Sequence, residues 1–336
     1  FIYNIPGRKE GTALATVKEM LQEIYLTPEL KLVEKKLEET VSSSSPFMEE
    51  ISVSILKGGK RLRPLLVILS ASFYPHSTLS VVNAACAAEL IHTASLVHDD
   101  IIDRSPKRRG KATLNSRFGC HMAVLAGDFL FARAFELLTR SGEHRILELM
   151  TQNISLMCEG EVEQARKAWD LSKTERDYLE QVYKKTSFFI SCCCRVGGLL
   201  SNMPPDQLES LADYGLHLGY AYQMTDDLLD FSTSPITGKP VGSDLAQGNL
   251  NYPLLYLMNH PTCGKEIKKI IKAKDCSLKT LERVQNYIQE SGALQYTYRK
   301  AREQVMQAKE CLQHLPPSPA KKILLGLAEH MLTRQK

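Results

Sequence analysis

The sequence has few of the features that mark membrane-spanning, β-rich or nucleic-acid-binding proteins. Its uninterrupted apolar runs are short, the best being residues 65–70, whereas a membrane-spanning helix needs roughly 18 consecutive apolar residues. Strand-like alternation is nearly absent, which argues against a β-sheet protein. Lys and Arg total 42 against 38 Asp and Glu, a balance that does not suit a general nucleic-acid binder. We therefore expect no nucleic-acid partner and no stable membrane insertion.

Cysteine lacks the spacing of a zinc site or of a disulfide framework. The nine cysteines include no Cys-x-x-Cys pair, and three of them are adjacent, at Cys192, Cys193 and Cys194. Adjacent cysteines cannot surround a metal ion, and they bridge one another poorly. We expect buried thiols in a reducing compartment. Residues 1–10 show no signal-peptide pattern, and the predicted location is the cytoplasm.

What the sequence does have is apolar residues at helical spacing along most of its 336 residues. One stripe runs along residues 30–41 and another along residues 82–97. Further helices are predicted over residues 119–140, 145–168, 174–199, 205–231, 265–273, 277–312 and 319–335. The breakers between these stretches are short. The sequence therefore predicts one all-α domain over residues 29–336, preceded by an N-terminal helical segment over residues 1–28.

Two acidic clusters share the pattern Asp-Asp-x-x-Asp inside apolar helices, at residues 99–103 and 226–230. Residues four apart share a face of a helix, so each cluster presents its first and last carboxylate together. A solvated helix face is the alternative for one such cluster, but the repetition favours a metal site. Carboxylates alone suit Mg²⁺, which prefers oxygen ligands and bridges to substrate phosphates. The candidate metal ligands are Asp99, Asp100, Asp103, Asp226, Asp227 and Asp230.

Basic residues alternate with these carboxylates along the chain. Lys60 and Arg63 follow two glycines, Arg108 and Arg109 follow the first cluster, and further lysines stand at positions 184, 185 and 239. Carboxylate-bound Mg²⁺ surrounded by Arg and Lys is typical of a diphosphate site. Because the flanking residues are apolar, the predicted substrate is a diphosphate with a hydrocarbon body.

The motifs resemble, in order and in spacing, those of the all-trans polyprenyl diphosphate synthases, and the match covers residues 30–335. They are Gly58-Gly59-Lys60-x-x-Arg63-Pro64, Glu89-Leu90-Ile91-His92, His98-Asp99-Asp100-x-x-Asp103 with Arg108-Arg109-Gly110, Gly127-Asp128, Lys185-Thr186, Gln223-x-x-Asp226-Asp227-x-x-Asp230 and Gly238-Lys239-Pro240. Residues 42–47 and 238–250 look most like the catalytic subunit (component II) of the heptaprenyl diphosphate synthases of Gram-positive bacteria.

The resemblance implies a helical isoprenoid synthase barrel around a deep central cavity. It also implies the activity, an Mg²⁺-dependent 1'-4 condensation of isopentenyl diphosphate with an allylic diphosphate primer. By family position, the isopentenyl diphosphate ligands are Lys60, Arg63, His92 and Arg109. The allylic diphosphate ligands are Arg108, Lys185, Thr186, Gln223 and Lys239. The catalytic set is Asp99, Asp103, Asp226, Lys185 and Thr186, with Thr186 near the carbocation, and the released diphosphate accepts the proton. We expect a structural role for His98.

Two further expectations concern the product and the assembly. Ala94 and Ser95 lie one helical turn before Asp99, and such small residues leave room beneath the metal site for a long product. Asn249 replaces a second lysine of short-chain relatives. We expect a hexaprenyl to decaprenyl product, heptaprenyl favoured, for quinone side chains. The apolar residues of segment 119–140 predict a homodimer, or a heterodimer with an unlike small subunit.

Two alternative functions remain open at the level of sequence. A class I terpene cyclase also ionises diphosphates with an Asp-rich helix, but it needs no isopentenyl site, whereas Lys60, Arg63 and Arg109 are present. A non-catalytic subunit of a heteromeric prenyl synthase tends to lose the acidic clusters, and both clusters are intact here.

Overall fold

The structure, a computed structural model, describes residues 28–108, 110–140, 142–231 and 242–333. In these ranges the chain folds into helices with one short antiparallel ribbon. The first half of the fold comprises α1 (Pro28–Thr40), α2 (Pro46–Leu56), α3 (Leu62–Ala71), α4 (Thr78–Ile102), β1 (Lys107–Arg108), β2 (Lys111–Ala112), α5 (Leu114–Arg140) and α6 (His144–Arg166).

The second half contains the long helix that carries the second acidic cluster. It comprises α7 (Glu175–Val182), a π-helical turn (Tyr183–Ser187), α8 (Phe188–Leu200), α9 (Pro205–Asp230), α10 (Ser243–Ala246), α11 (Tyr252–Met258), α12 (Gly264–Ala273), α13 (Leu278–Glu290), α14 (Ala293–Cys311), a 3₁₀ turn (Leu312–His314) and α15 (Pro319–Thr333). Polar caps define several helix starts. Ser77 caps α4, and Thr174 forms a capping box with Asp177 at α7.

The two helices with acidic clusters lie at the centre of the packing. Helix α4 packs most extensively against α5, and α9 packs against α8 and α14. The largest apolar core joins α1, α3, α4, α5, α8, α9 and α15. A second core joins α7, the end of α9 and helices α11 to α14. Helix α9 contributes to both cores, to the first through its amino-terminal and middle parts and to the second through its carboxyl end.

Glycines allow some of these helices to approach one another closely. A Cβ atom at Gly197 of α8 would lie 2.3 Å from the Val67 carbonyl oxygen of α3. A Cβ atom at Gly219 of α9 would lie 2.4 Å from Ser187 Cα of the π turn. Side chains at these positions would push backbones apart, so glycine sets the helix spacing here.

The all-α prediction is confirmed, but the single helix expected over residues 277–312 is wrong. The chain breaks between α13 and α14 at Ser291 and Gly292, where Gly292 has φ +85°. This left-handed conformation suits glycine, and helical periodicity on both sides concealed the break. The short helices α10 and α11 and the β1–β2 ribbon also had no clear sequence signal. The predicted N-terminal segment lies outside the described residues except for Pro28.

One described helix, α4, is long and apolar enough to cross a membrane, and 72% of its most apolar window is buried inside the protein. Asn83, Glu89 and His92 interrupt the apolar residues of α4, so the sequence shows no uninterrupted apolar run along this helix. Its burial is that of a core helix.

Gly197→Ala and Gly198→Ala form a matched pair of stability tests. We expect Gly197→Ala to lower the free energy of unfolding by about 1–3 kcal/mol, because the new methyl group meets the α3 backbone. At Gly198→Ala the two nearest atoms, Leu208 Cδ1 at 2.6 Å and Met203 Sδ at 3.3 Å, belong to flexible side chains that can move aside, so this change is expected to be nearly neutral. Urea denaturation measures both, and equal stabilities would contradict the close-packing argument.

Candidate active site

The first acidic cluster lies where α4 ends. The Asp103 backbone N–H donates to the Asp99 carbonyl oxygen at 2.8 Å, so the last helical turn holds the two residues together. His92, Ser95 and Asp99 form a partly accessible stripe along the helix, whereas Asp100 is buried. The first and last carboxylates of the motif therefore face one way, as the spacing predicts.

Asp100, the middle carboxylate of the first cluster, forms a hydrogen bond within the protein. It is 6% exposed, and Arg108 of β1 donates its Nε–H to Asp100 Oδ1 at 2.9 Å. The β1–β2 ribbon pairs Arg108 with Lys111 and sets this approach. The Arg108 side chain remains 36% exposed, so part of the guanidinium stays accessible. Its neighbour Arg109 lies outside the described residues.

Asp99 lies in a mixed electrostatic environment. Burial raises the pKa of Asp99 to about 6, and the charges of Glu161 and Asp103 act in the same direction. Lys185 and Arg108 oppose this rise in pKa. These two cations, predicted to bind the allylic diphosphate, are therefore close enough to Asp99 to act on it. At neutral pH the carboxylate is ionised and can bind a cation.

The second cluster, at the end of α9, repeats this arrangement. Asp227, its middle carboxylate, is 2% exposed and accepts three hydrogen bonds. The donors are the Tyr178 hydroxyl at 2.7 Å, Gln223 Nε2 at 3.0 Å and the Tyr252 backbone N–H at 3.1 Å. Burial raises the pKa of Asp227 to about 7, and the three donors limit the rise.

The sequence predicts all six motif aspartates as metal ligands, but the structure gives the two middle ones other partners. Asp100 accepts from the partly exposed Arg108, and Asp227 accepts from the buried Tyr178 hydroxyl. Buried carboxylates keep such bonds because an unpaired buried charge is costly. Asp230 also accepts hydrogen bonds, from the Ser243 hydroxyl and from the Asp244 backbone N–H, so direct coordination by the six aspartates stays a prediction.

Sequence reasoning missed a further carboxylate, Asp244 of α10. The Asp244 backbone N–H donates to Asp230 Oδ2 at 3.3 Å, and the Ser243 hydroxyl donates to Asp230 Oδ1 at 2.6 Å. Burial, reinforced by the charges of Asp230 and Asp227, raises the pKa of Asp244 well above its ordinary value. Asn251 donates to Asp244 Oδ2 at 2.9 Å. No local motif marks this residue, because its acidic neighbours belong to another helix.

The π turn between α7 and α8 connects the two clusters. Lys185 acts on Asp99 of α4, while the Thr186 hydroxyl donates to Gln223 Oε1 of α9 at 3.2 Å. Lys185 also forms an ion pair with Glu161 and donates to Gln164 Oε1 at 2.9 Å. π-helical turns occur often at functional sites because they redirect adjacent side chains. Gly160 permits this approach, since a Cβ atom there would lie 2.8 Å from Lys185 Cγ.

Two of the predicted isopentenyl diphosphate ligands lie at the start of α3, Lys60 in the loop before it and Arg63 in its first turn. The Arg63 guanidinium lies over the Phe189 ring of α8, 4.7 Å from its centroid. Arg61, which the sequence did not single out, is buried between Glu34 and Glu89 and donates to the Leu56 carbonyl oxygen at 2.7 Å. Burial alone would lower the pKa of Arg61, but the two glutamates raise it above its ordinary value. Arg61 thus fixes the loop that carries Lys60.

His98 and the Gly127-Asp128 motif form a helix contact, as expected for a structural histidine. A Cβ atom at Gly127 of α5 would lie 2.2 Å from His98 Nε2. His98 Nε2 lies 3.3 Å from the Val124 carbonyl oxygen and 3.6 Å from an Asp128 carboxylate oxygen. Glycine at position 127 therefore lets the imidazole pack against α5.

The two predicted chain-length residues differ in environment. Ser95 lies on the partly accessible stripe of α4, and its hydroxyl donates to the His92 carbonyl oxygen at 2.9 Å. Ala94 is 0% exposed within the largest apolar core. A helix turns about 100° per residue, so Ser95 lies about 40° and Ala94 about 140° from the direction of Asp99.

The carboxylates fit a hard cation that takes part of its coordination from elsewhere. Across residues 28–108, 110–140, 142–231 and 242–333, no three histidine, cysteine or carboxylate side chains form a complete metal cage. Mg²⁺ is usually bound by one or two carboxylates together with water and substrate phosphates, so paired oxygens such as those of Asp99 and Asp103 suit it. Lys239, predicted nearby, lies outside the described residues.

The chain is similar to known prenyl synthases. The "Polyprenyl synthetase" family model matches residues 45–288. The chain is 36% identical over 302 residues to the octaprenyl diphosphate synthase of Escherichia coli (strain K12), covering 89% of this chain and 93% of that protein. It is 33% identical over 313 residues to heptaprenyl diphosphate synthase component 2 of Bacillus subtilis (strain 168), covering 93% and 89%.

A solved structure has the same fold. The polyprenyl synthase from Caulobacter crescentus CB15, in complex with calcium and isoprenyl diphosphate, superposes with a TM-score of 0.88 and 30% sequence identity. The match covers 98% of this chain and 100% of that one. The helical isoprenoid synthase fold expected from the sequence is thereby confirmed.

Arg61→Ala is expected to lower the free energy of unfolding by about 3–5 kcal/mol, because it leaves the buried Glu89 carboxylate without its cation. Lys57→Ala, which removes an exposed cation from the same loop, is the control and is expected to change stability little. Chemical denaturation followed by circular dichroism checks both, and a loss below about 1 kcal/mol for Arg61→Ala contradicts the anchoring role.

Proposed function

Because the chain belongs to the polyprenyl synthetase family and is a prenyltransferase, as its motifs predict, we propose that it makes long all-trans polyprenyl diphosphates. The reaction is an Mg²⁺-dependent 1'-4 condensation of isopentenyl diphosphate with an allylic diphosphate primer. The observation that carries this proposal is the position of the π turn: Lys185 lies near enough to Asp99 to lower its pKa, while the adjacent Thr186 donates to Gln223, which precedes the second cluster.

This placement suits an allylic diphosphate held between the clusters. Lys185 and Arg108 supply positive charge beside Asp99, where the diphosphate group would lie. Asp99, Asp103 and Asp226 would hold Mg²⁺, with Asp230 as a further candidate ligand. When bound, Mg²⁺ supplies Lewis-acid stabilisation of the departing diphosphate. The complex of the Caulobacter crescentus synthase with calcium and isoprenyl diphosphate supports a divalent cation next to such a substrate.

Thr186 would act near the carbocation, and Gln223, a predicted ligand of the allylic diphosphate, would orient Thr186. Gln223 Nε2 donates a hydrogen bond to the Asp227 carboxylate, so Gln223 Oε1 faces Thr186 and accepts a hydrogen bond from its hydroxyl group. The lone pairs of the Thr186 oxygen are then directed away from Gln223, where they can stabilise an allylic cation. Lys60, Arg63, His92 and Arg109 would hold isopentenyl diphosphate, whose double bond attacks the cation. The released diphosphate then accepts the proton.

The length of the product is proposed from the relatives and from α4. Relatives at similar identity are named octaprenyl and heptaprenyl diphosphate synthases, which supports a product between hexaprenyl and decaprenyl length. The small side chain of Ser95, one turn before Asp99, leaves space along the accessible stripe. We favour the heptaprenyl product and a role in supplying quinone side chains.

We also propose that the enzyme pairs with a second subunit in the cytoplasm. Val124 and Leu125 are 41% and 42% exposed on α5, and such neighbouring apolar residues suit a subunit contact. The partner is either a second copy or an unlike small subunit, and the name "component 2" of the Bacillus subtilis relative supports the second choice. Nine free thiols support a reducing compartment.

The activity is tested with radiolabelled isopentenyl diphosphate, an allylic primer and Mg²⁺, alone and with candidate partner subunits. Asp99→Ala and Asp226→Ala are each expected to lower turnover by a factor on the order of 10³, because each removes a ligand of the charge-neutralising cation. Asp213→Ala, an exposed aspartate on the same helix as Asp226, is the control and is expected to keep wild-type activity. Near-normal turnover in either cluster variant contradicts the metal assignment, and cyclised hydrocarbon without isopentenyl incorporation favours a terpene cyclase.

Ser95→Phe and Ala94→Phe separate the two candidate chain-length positions. We expect Ser95→Phe to shorten the product towards farnesyl or geranylgeranyl length while condensation continues, because its ring would enter the space on the accessible side of α4. Ala94→Phe is expected to overpack the core and destabilise the fold by about 1–3 kcal/mol in addition to any shortening. Product mass spectrometry and thermal denaturation give the two readouts. An active Ser95→Phe enzyme with an unchanged product removes the basis for this chain-length proposal.

A further inference from the structure

Behind the π turn, a chain of side-chain hydrogen bonds joins a buried lysine to Lys185. Lys173 Nζ donates to Gln181 Oε1 at 2.8 Å, and Gln181 Nε2 donates to Gln164 Oε1 at 2.5 Å. Lys185 Nζ donates to the same Gln164 oxygen at 2.9 Å. The chain starts in the loop before α7, crosses α7 at Gln181 and reaches α6 at Gln164.

The direction of every bond in this chain is fixed by its two ends. An ammonium group has protons to donate and no lone pair to accept with, so each lysine must face an amide oxygen. Gln181 therefore presents its oxygen to Lys173 and its NH₂ group to Gln164. Gln164 then presents its oxygen to both Gln181 and Lys185. Reversing either amide would place two donors against each other.

The far end of the chain is well anchored. Lys173 is 6% exposed, and its backbone N–H donates to the Asp170 carbonyl oxygen at 3.1 Å. Burial lowers the pKa of Lys173 to about 8, while the nearby carboxylates of Asp227 and Asp244 oppose that decrease. The ammonium form therefore dominates at neutral pH and can act as a pure donor.

We propose that Gln181 and Gln164 are positioning residues that, anchored by Lys173, hold the Lys185 ammonium in place for the allylic diphosphate. This inference rests on the proposed function, which assigns Lys185 to that substrate. Glu161 supplies Lys185 with a charged partner. Gln164 supplies a second acceptor, which is neutral and so adds no further negative charge beside the lysine. A lysine fixed before binding loses less rotamer freedom when the phosphate arrives, so affinity is gained.

Gln181→Glu tests this chain of hydrogen bonds from Lys173 to Lys185, called the relay below, without changing the size of the side chain. A carboxylate still accepts from Lys173 but has no proton for the Gln164 oxygen, so Gln164 is no longer held facing Lys185. Gln181→Met, which can neither donate nor accept a strong hydrogen bond, provides a second test. Gln152→Glu, the same chemical change at an exposed glutamine of α6, is the control.

The measurement is the Kd of an allylic thiolodiphosphate, an analogue that does not lose its leaving group. The Kd of isopentenyl diphosphate is measured separately, and both use calorimetry with Mg²⁺. We expect Gln181→Glu and Gln181→Met to weaken allylic binding about tenfold, the effect of one hydrogen bond to a charged group. Isopentenyl diphosphate binding and the melting temperature should stay near the values of wild type and Gln152→Glu. A purely structural role would instead shift both affinities and the melting temperature together, and that result overturns the proposal.

Lys185→Ala, measured in parallel, distinguishes a failure of this inference from a failure of the proposed function on which it rests. If Lys185→Ala weakens allylic binding and the Gln181 variants do not, the relay is wrong and the function stands. If Lys185→Ala has no effect on allylic binding, the assignment of Lys185 fails, and the relay fails with it. Weakened allylic binding in both kinds of variant supports the proposal.

Discussion

Repulsion between partly buried carboxylates is the constraint that shapes the region where α4 and α9 end. Asp227 is buried and Asp244 is partly buried beside Asp226 and Asp230, and the like charges raise the pKa of Asp244 further. Such a concentration of negative charge is unfavourable unless donors or cations lie close by. The structure supplies them from elements distant in sequence. The Tyr178 hydroxyl of α7 donates to Asp227, and Lys173 of the preceding loop lies near Asp227 and Asp244. At the end of α4, Arg108 of the β1–β2 ribbon donates to Asp100 in the same way.

These compensating groups can approach because small residues line the helix contacts around the π turn. Gly160 on α6 and Gly219 on α9 leave no Cβ atom between their helices and residues 185 and 187. The turn therefore lies close to both α6 and α9, and Lys185 and Thr186 reach opposite clusters although they are adjacent in sequence. Close packing of backbones is thus required to place Lys185 and Thr186 near different acidic clusters. In the proposed reaction the two residues therefore have separate roles.

How far the sequence predicts this site depends on how many positions separate the interacting residues along the chain. The pairing of Asp99 with Asp103 follows from helical periodicity and requires nothing else. The contact of Tyr178 with Asp227 joins residues 49 positions apart, and no local pattern marks either partner of it. Asp244 was missed for the same reason, since α10 is four residues long and its acidic neighbours lie on α9. The break at Gly292 was missed because apolar residues recur at helical spacing on both sides of it, within α13 and within α14.

The same periodicity explains why each acidic motif contains a middle aspartate. A residue one step along a helix is rotated by about 100°, so Asp100 and Asp227 turn inward when their neighbours Asp99 and Asp226 face the proposed substrate. The inward carboxylates are 6% and 2% exposed and accept bonds from Arg108 and from Tyr178, respectively. Each inward carboxylate therefore ties its helix end to a neighbouring element and fixes the rotation of the helix about its own axis. That rotation decides where the outward carboxylates point, so in the proposed function the inward aspartate of each motif would position the outward candidate ligands.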